Sequence, residues 1–230
     1  MSTNVKRPRL FCDFDGTISR QDVIDVLLET YAQPRWRDVE QEWIDGRISS
    51  RECLDRQMAC TRVSEADLDD LLGGIEIDEG FQRLASWARD YGFPLIVFSD
   101  GFDWIIERAF AHNSIDVAAL GIRIFASHFE FVSGVPKWSF PHAKDCPHGC
   151  GTCKPGIIHR LRTPDAVPVV IGDGRSDIFA VDAADMVYAK GWLQSHCREQ
   201  GIPFHPFRSL SDVLAHLSAI YDPAIMRNTV

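Results

Sequence analysis

The chain has 230 residues, 45% hydrophobic and 25% charged, which is the balance of a soluble globular fold of one domain, or one domain with a sizeable insertion. Its 24 Lys and Arg against 33 Asp and Glu give a net charge of −9 with no long basic run, which argues against a nucleic-acid partner and requires any phosphate site to be locally positive. No apolar run approaches the roughly 18 residues of a membrane span, and no apolar stretch follows the polar first ten residues, so a cytoplasmic protein without a membrane partner is expected.

The first element is the apolar run Arg9-Leu10-Phe11-Cys12, which ends in Asp13-Phe14-Asp15-Gly16-Thr17. In a strand, residues i and i+2 point to the same side, so Asp13 and Asp15 meet above its carboxyl end. Two neighbouring carboxylates are costly unless a cation or a shared proton offsets them, and a divalent ion with oxygen ligands meets that need. The plainer alternative is a polar strand end leading into a Gly-Thr turn.

Residues 20 to 91 read as successive helices. Asp22 to Tyr31 carries a broad apolar face; Trp36, Val39, Trp43 and Ile44 follow Pro34 at helical spacing, with Gly46 as a stop. Ser49-Ser50-Arg51-Glu52 has the form of a capping box, Ser64 opens a further helix that Gly73-Gly74 ends, and Asp78 to Tyr91 completes the block before Gly92. Trp36, Trp43 and Trp87 are read as core residues; if one lines the substrate entrance, it is one in the first cap helices, and the sequence does not choose among them.

From residue 94 the pattern changes. Pro94 to Phe98 is a buried strand leading into Ser99-Asp100-Gly101 and a helix through Phe110. Ile122 to Ala126 is a strand, and His128 to Ser139 alternates about Ser133-Gly134 as a separate hairpin. A helix follows Pro155, Val167 to Ile171 is a strand ending in Gly172-Asp173-Gly174, and a helix is expected from about Ser176 to Ala184. A strand at Met186 to Ala189 and helices near 192–200 and 209–220 close the chain. Strands alternating with helices predict an α/β fold, a Rossmann-like parallel sheet with helices on both faces, whose ligands bind beyond the strands' carboxyl ends. Residues 1–19 and 93–230 form the expected catalytic core, and residues 20–92 a helical cap inserted over it.

Four stretches in this order resemble the haloacid-dehalogenase-like phosphohydrolases, in the phosphoserine-phosphatase-like branch: Asp13-Phe14-Asp15-Gly16-Thr17, Ser99 after Leu95–Phe98, Lys154 before Pro155, and Gly172-Asp173-Gly174-Arg175-Ser176-Asp177. The resemblance implies a Mg²⁺-dependent phosphatase acting on a small phosphorylated metabolite. Asp13 would be the nucleophile that forms an aspartyl-phosphate, and Asp15 the acid and then the base. A carboxylate attacks a phosphate dianion poorly unless charge is neutralised, so Mg²⁺ and Lys154 are needed. Asp13, the Asp15 carbonyl and Asp173 would hold the metal, with Asp177 reaching it through water. Ser99, with the backbone around Asp100 and Gly101, would hold the phosphate. Asp100 contacts substrate or caps the following helix, and the cap is the expected role.

Narrower features, Phe140-Pro141-His142, the run Cys146 to Cys153, Lys154-Pro155 and Arg198-Glu199-Gln200, are similar to bacterial methionine-salvage phosphatases, which act on 2-hydroxy-3-keto-5-methylthiopentenyl-1-phosphate. Asp22 sits where phosphoserine phosphatases carry a glutamate that meets the substrate amine, and the shorter side chain counts against phosphoserine. The seven cysteines point to thiols or metal ligands rather than a disulfide framework. Cys146, Cys150 and Cys153, with His142, can supply four Zn²⁺ ligands; reduced thiols in a tight loop, or an oxidised pair, are the alternatives. Competing functions are a phosphoserine or amino-alcohol phosphatase, a phosphotransferase using the same intermediate, and a non-catalytic metal- or partner-binding protein on the same fold. The sequence carries no signal of oligomeric state.

Overall fold

A computed structural model describes residues 6–221; the outer ends of the expected core, 1–5 and 222–230, lie outside the described residues. Seven strands form one sheet: β1 (Arg7–Cys12), β2 (Leu95–Phe102), β3 (Arg123–Val132), β4 (Val135–Ser139), β5 (Ala166–Gly172), β6 (Met186–Ala189) and β7 (His205–Pro206). Their order is β4-β3-β2-β1-β5-β6-β7, parallel throughout except for the antiparallel β3–β4 hairpin. The fold is the expected α/β, Rossmann-like sheet.

Five helices lie between β1 and β2: α1 (Val23–Tyr31), α2 (Trp36–Ile44), α3 (Ser50–Ala59), α4 (Glu65–Leu72) and α5 (Phe81–Asp90). Later come α6 (Asp103–His112), α7 (Lys154–Leu161), α8 (Ile178–Val181), α9 (Gly191–Gln200) and α10 (Leu210–Tyr221). The caps follow local chemistry: Asp22, Ser49 and Ser64 each accept a hydrogen bond from the backbone N–H three residues on.

β1 is buried on both faces, as a central parallel strand must be. Leu10 and Cys12 join the larger core with Phe110 and Leu210, while Phe11 packs on the opposite face with Phe98, Ile157 and Val170. Phe14 continues inward, edge-on to Phe110 at 5.4 Å between ring centroids, so its neighbours Asp13 and Asp15 are left to the strand's open end. Pairing of Cys12 with both Val97 and Ile171 brings the ends of β1, β2 and β5 to one level.

The helices between β1 and β2 are fastened in two ways. An antiparallel bridge joins Ser19 to Ile77, α4 packs on α6, and α5 packs on α10 and β2, whereas α2 and α3 pack chiefly on one another.

Two expectations change. β3 is one unbroken strand where a strand and a separate hairpin were expected: its first half pairs with β2, Ser127 sits opposite Phe102, and the second half turns into β4. The helix expected from Ser176 to Ala184 is a short 3-10 turn (Arg175–Asp177) followed by α8, because Asp177 folds back onto the backbone N–H groups of Asp173 and Gly174. β7 is too short for any periodic signal. Among the described residues, no helix is long and apolar enough to cross a membrane.

Candidate active site

Asp13, at the end of β1, is 3% exposed; its Oδ1 accepts a hydrogen bond from its neighbour Phe14 N–H at 2.8 Å and forms an ion pair with Lys154 Nζ at 2.9 Å. Lys154, the first residue of α7, is 1% exposed and also reaches Asp177 Oδ1 at 2.6 Å and Ser176 Oγ at 3.2 Å. Burial on its own would pull its ammonium down, but Asp13, Asp177 and Asp100 together hold it above its usual range. Asp13 is pushed up by burial and by repulsion from Asp177, against the pull of Lys154.

Asp15 is gripped from two sides. Its Oδ1 accepts from Val23 N–H at 3.1 Å, at the start of α1, and its Oδ2 accepts from Ser99 Oγ at 3.0 Å. Gly101 N–H in turn donates to Ser99 Oγ at 2.8 Å. Burial, then the nearby Asp22 charge, raise Asp15 to about 7, where a carboxyl can both give and take a proton. A Cβ on Gly101 would sit 2.8 Å from Asp15 Oδ2, so the β2 end approaches β1 only because that residue is glycine.

Asp173, after β5, accepts from Thr17 Oγ1 at 2.6 Å. Gly16, with φ +69°, turns the backbone so that Thr17 meets Asp173, and a Cβ there would collide with the Asp173 carboxylate. Asp177 is fully buried and satisfied by Lys154 and by the Asp173 and Gly174 N–H groups.

Carboxylate oxygens of Asp13, Asp173 and Asp177 lie within 4.8 Å of one another. Four clustered carboxylates, Asp13, Asp15, Asp173 and Asp177, face one buried ammonium, an imbalance that a hard divalent cation with oxygen ligands would correct. The donor set therefore fits Mg²⁺.

A cavity of about 160 Å³ opens over Asp13, Asp15 and Asp173, with Lys154 and Asp177 buried behind them. Asp22, Asp25 and Glu40 of α1 and α2, with Ile24, Trp43 and Leu54, form its far wall. Burial, then the Asp25 charge, raise Asp22 to about 7; burial, then Glu40, raise Asp25 to about 6. Of the acidic residues in this wall, the sequence singles out only Asp22. Asp25 is visible in hindsight as the N–H partner in the Asp22 cap, whereas Glu40 gives no local signal. Trp43, read as core but lying in the first cap helices from which an entrance-lining tryptophan would come, lines the cavity.

Two expectations are corrected. Asp100 does not cap α6: it lies within β2, where its Oδ1 accepts from Thr152 N–H and its Oδ2 from Ser50 Oγ, both at 2.8 Å. The following Asp103 instead binds the His128 ring and Phe129 N–H. The zinc set also fails to assemble. Among the described residues, Asp13, Asp173 and Asp177 alone are gathered closely enough to share a cation, while the His142 ring packs against Phe125 and all three loop cysteines are free thiols. Zinc at His142, Cys146, Cys150 and Cys153 has no support.

Residues 10–181 match the haloacid dehalogenase-like hydrolase family. The chain is 33% identical over 92% of its length to 2-hydroxy-3-keto-5-methylthiopentenyl-1-phosphate phosphatase of Geobacillus thermodenitrificans, of which 96% is covered. It is 32% identical to the enzyme of the same name from Geobacillus kaustophilus, over 89% of this chain and 93% of that one. Its fold is similar to a phospho-aspartyl intermediate analogue of phosphoserine phosphatase, with a TM-score of 0.67 at 17% identity, covering 92% of this chain and 99% of that one. The chain belongs to the haloacid dehalogenase-like hydrolases.

Proposed function

We propose that the protein is a Mg²⁺-dependent phosphomonoesterase that works through an aspartyl-phosphate on Asp13, with 2-hydroxy-3-keto-5-methylthiopentenyl-1-phosphate as its substrate. The observation that carries this reading is Asp13, lining the cavity beside Asp15 and Ser99, with Lys154 Nζ buried behind it 2.9 Å from its Oδ1. Asp13 attacks phosphorus, and Lys154 offsets the negative charge that would repel the phosphate dianion. Asp15 protonates the leaving alkoxide and then takes a proton from the water that opens the phosphoenzyme. Ser99 and the N–H groups near Asp100 and Gly101 bind phosphate oxygens. Mg²⁺ held by Asp13, the Asp15 carbonyl and Asp173, with Asp177 behind them, would supply charge neutralisation at the phosphoryl group.

The substrate follows from the relatives' names and from the far wall of the cavity. Ile24, Trp43 and Leu54 offer an apolar surface to a methylthio tail, and Asp22, Asp25 and Glu40 offer acceptors to a substrate hydroxyl. Phosphoserine, whose ammonium would meet the same three carboxylates, is the competing substrate. We assign residues 20–92 as the cap of a cytoplasmic enzyme, with α2 and α3 as the part that covers the site. Hydrolysis of a panel of phosphate monoesters with Mg²⁺, including this substrate and phosphoserine, tests the proposal. Preference for the methylthio compound supports it; equal or better turnover of phosphoserine overturns the substrate, and no Mg²⁺-dependent turnover of any ester overturns the activity.

A further inference from the structure

Residues 142–153 form a doubled turn that leads directly into the catalytic lysine. Cys146 N–H donates to Ala143 O at 3.1 Å, Gly149 N–H to Cys146 O at 3.4 Å, and Cys153 N–H to His142 O at 3.1 Å, so the two ends of the loop lie side by side. Within it, the thiols of Cys150 and Cys153 and the backbone N–H groups of His148 and Cys150 lie near enough to the Cys146 sulfur to act on its charge. Burial pushes the Cys146 thiol up, but these four neighbours outweigh it and leave the thiol below its ordinary value, a setting that favours the nucleophilic thiolate.

The three thiols are not equivalent. Cys150 is buried, and burial followed by the Asp100 charge pushes its thiol up. Its neighbours are also committed: Gly149 O accepts from Arg51 N–H at 3.0 Å, and Gly151 and Thr152 hold Asp100. Cys153 is half-buried and lines a second cavity, of about 400 Å³, with Lys144, His148, His159 and Arg160 at its rim. That opening admits a small oxidant to Cys153 beside Lys144 and Arg160, and Cys146 is itself half-buried rather than enclosed.

We propose that Cys146 and Cys153 are an oxidative modification site, closed by a peroxide into a disulfide that displaces Lys154. The Cys146 thiolate attacks a peroxide oxygen, breaking the O–O bond, giving a sulfenic acid and releasing water or an alcohol once the leaving oxygen is protonated. The Cys153 sulfur then attacks the Cys146 sulfur; the S–O bond breaks, and the hydroxide leaves as water with the Cys153 proton. Two thiols lose two electrons, and the peroxide gains them. Cys153 is bonded to Lys154 and accepts from Ile157 N–H at 3.0 Å in the first turn of α7. Drawing Cys153 towards Cys146 therefore acts on Lys154 Nζ, which stands 2.9 Å from Asp13 Oδ1.

The test uses the whole protein, treated with hydrogen peroxide, in two arms. In the first, intact mass and a non-reducing peptide map are expected to show a loss of about 2 Da and a Cys146–Cys153 cross-link. In the second, Mg²⁺-dependent turnover of p-nitrophenyl phosphate is expected to fall by about 10–100-fold and to return with dithiothreitol, as a misplacement near 1 Å implies. Cys146→Ser should stay active after peroxide, and Cys150→Ser should remain as sensitive as the unaltered protein. Over-oxidation without a cross-link, or a Cys146–Cys150 pair, overturns the assignment. A Cys146–Cys153 disulfide with unchanged turnover overturns its control of Lys154. The map needs no catalysis, so it is read even if the proposed phosphatase activity fails.

Discussion

At Lys154 a single buried ammonium serves Asp13 and Asp177 at once, at 2.9 and 2.6 Å. Lys154→Met leaves both carboxylates buried without their counter-ion, and breaking such a pair costs about 3–5 kcal/mol of stability. The urea midpoint is expected to fall accordingly in the absence of Mg²⁺, and an unchanged midpoint would show that water or another cation already shields the pair. Asp15 tests the chemistry separately. Asp15→Asn keeps the shape and removes the proton donor and acceptor, so turnover is expected to fall about 10²–10⁴-fold. In the proposed mechanism the second step needs the base, so phosphorylated protein should accumulate, seen as a gain of about 80 Da in intact mass. Asp13→Asn should show neither turnover nor that gain. Asp13 and Asp15 are legible in sequence because they follow an apolar strand directly, and Lys154 because it stands before Pro155 in the order of the four stretches. Asp100 is not: at the carboxyl end of a strand a cap and a cross-link between distant segments look alike, and only the fold brings Ser50 and Thr152 to it.

Among the elements, α3 has the most direct hold on the catalytic loops. Ser50 Oγ donates to Asp100 in β2, Arg51 N–H donates to Gly149 O in the cysteine loop, and Asp55 accepts from Trp138 Nε1 in β4. A Cβ on Gly149 would lie 2.6 Å from Ser49 Cβ, so the loop and the start of α3 meet at van der Waals distance. This helix closes one side of the cavity through Cys53, Leu54 and Gln57. Ser50→Ala removes one donor to a buried carboxylate, worth about 1–2 kcal/mol, which corresponds to about 5–30-fold in the equilibrium that holds α3 over the site. KM is expected to rise by that order while the thermal midpoint moves little, because Ser49 still caps the helix. A change in kcat alone would place Ser50 in the chemistry instead. The start of α3 is legible from the Ser49-to-Glu52 pattern, since a cap is local. Its attachment to residues 100 and 149 is not, because no short-range pattern records a contact across the fold.

Over the whole molecule, the fold gathers more negative charge at the strand ends than it neutralises. Burial first, then neighbouring carboxylates, raise Asp15 and Asp22 to about 7 and Asp25 to about 6, and also raise Asp13. Burial raises Asp173 as well, with Thr17 opposing it. A carboxyl raised on folding takes up a proton that the unfolded chain releases near pH ~4. Its penalty is therefore fully present above about pH 7 and is relieved as pH falls through the window between ~7 and ~4. His142 and His205, lowered first by burial, work in the opposite sense, but chiefly below their unperturbed value of about 6.5. The metal-free protein is thus expected to melt higher at about pH 6.5 than at about pH 8. Mg²⁺ competes with protons for the same carboxylates, so its stabilisation should be greater at the higher pH. At roughly 100 times its dissociation constant it contributes about 2.7 kcal/mol, a rise of roughly 5–10 °C for a chain of this size. Melting curves in chelator and in Mg²⁺ at the two pH values decide the point. A metal-free midpoint that rises with pH, or a Mg²⁺ shift larger at the lower pH, would mean that the carboxylates are balanced within the protein and that the cluster is not a cation site.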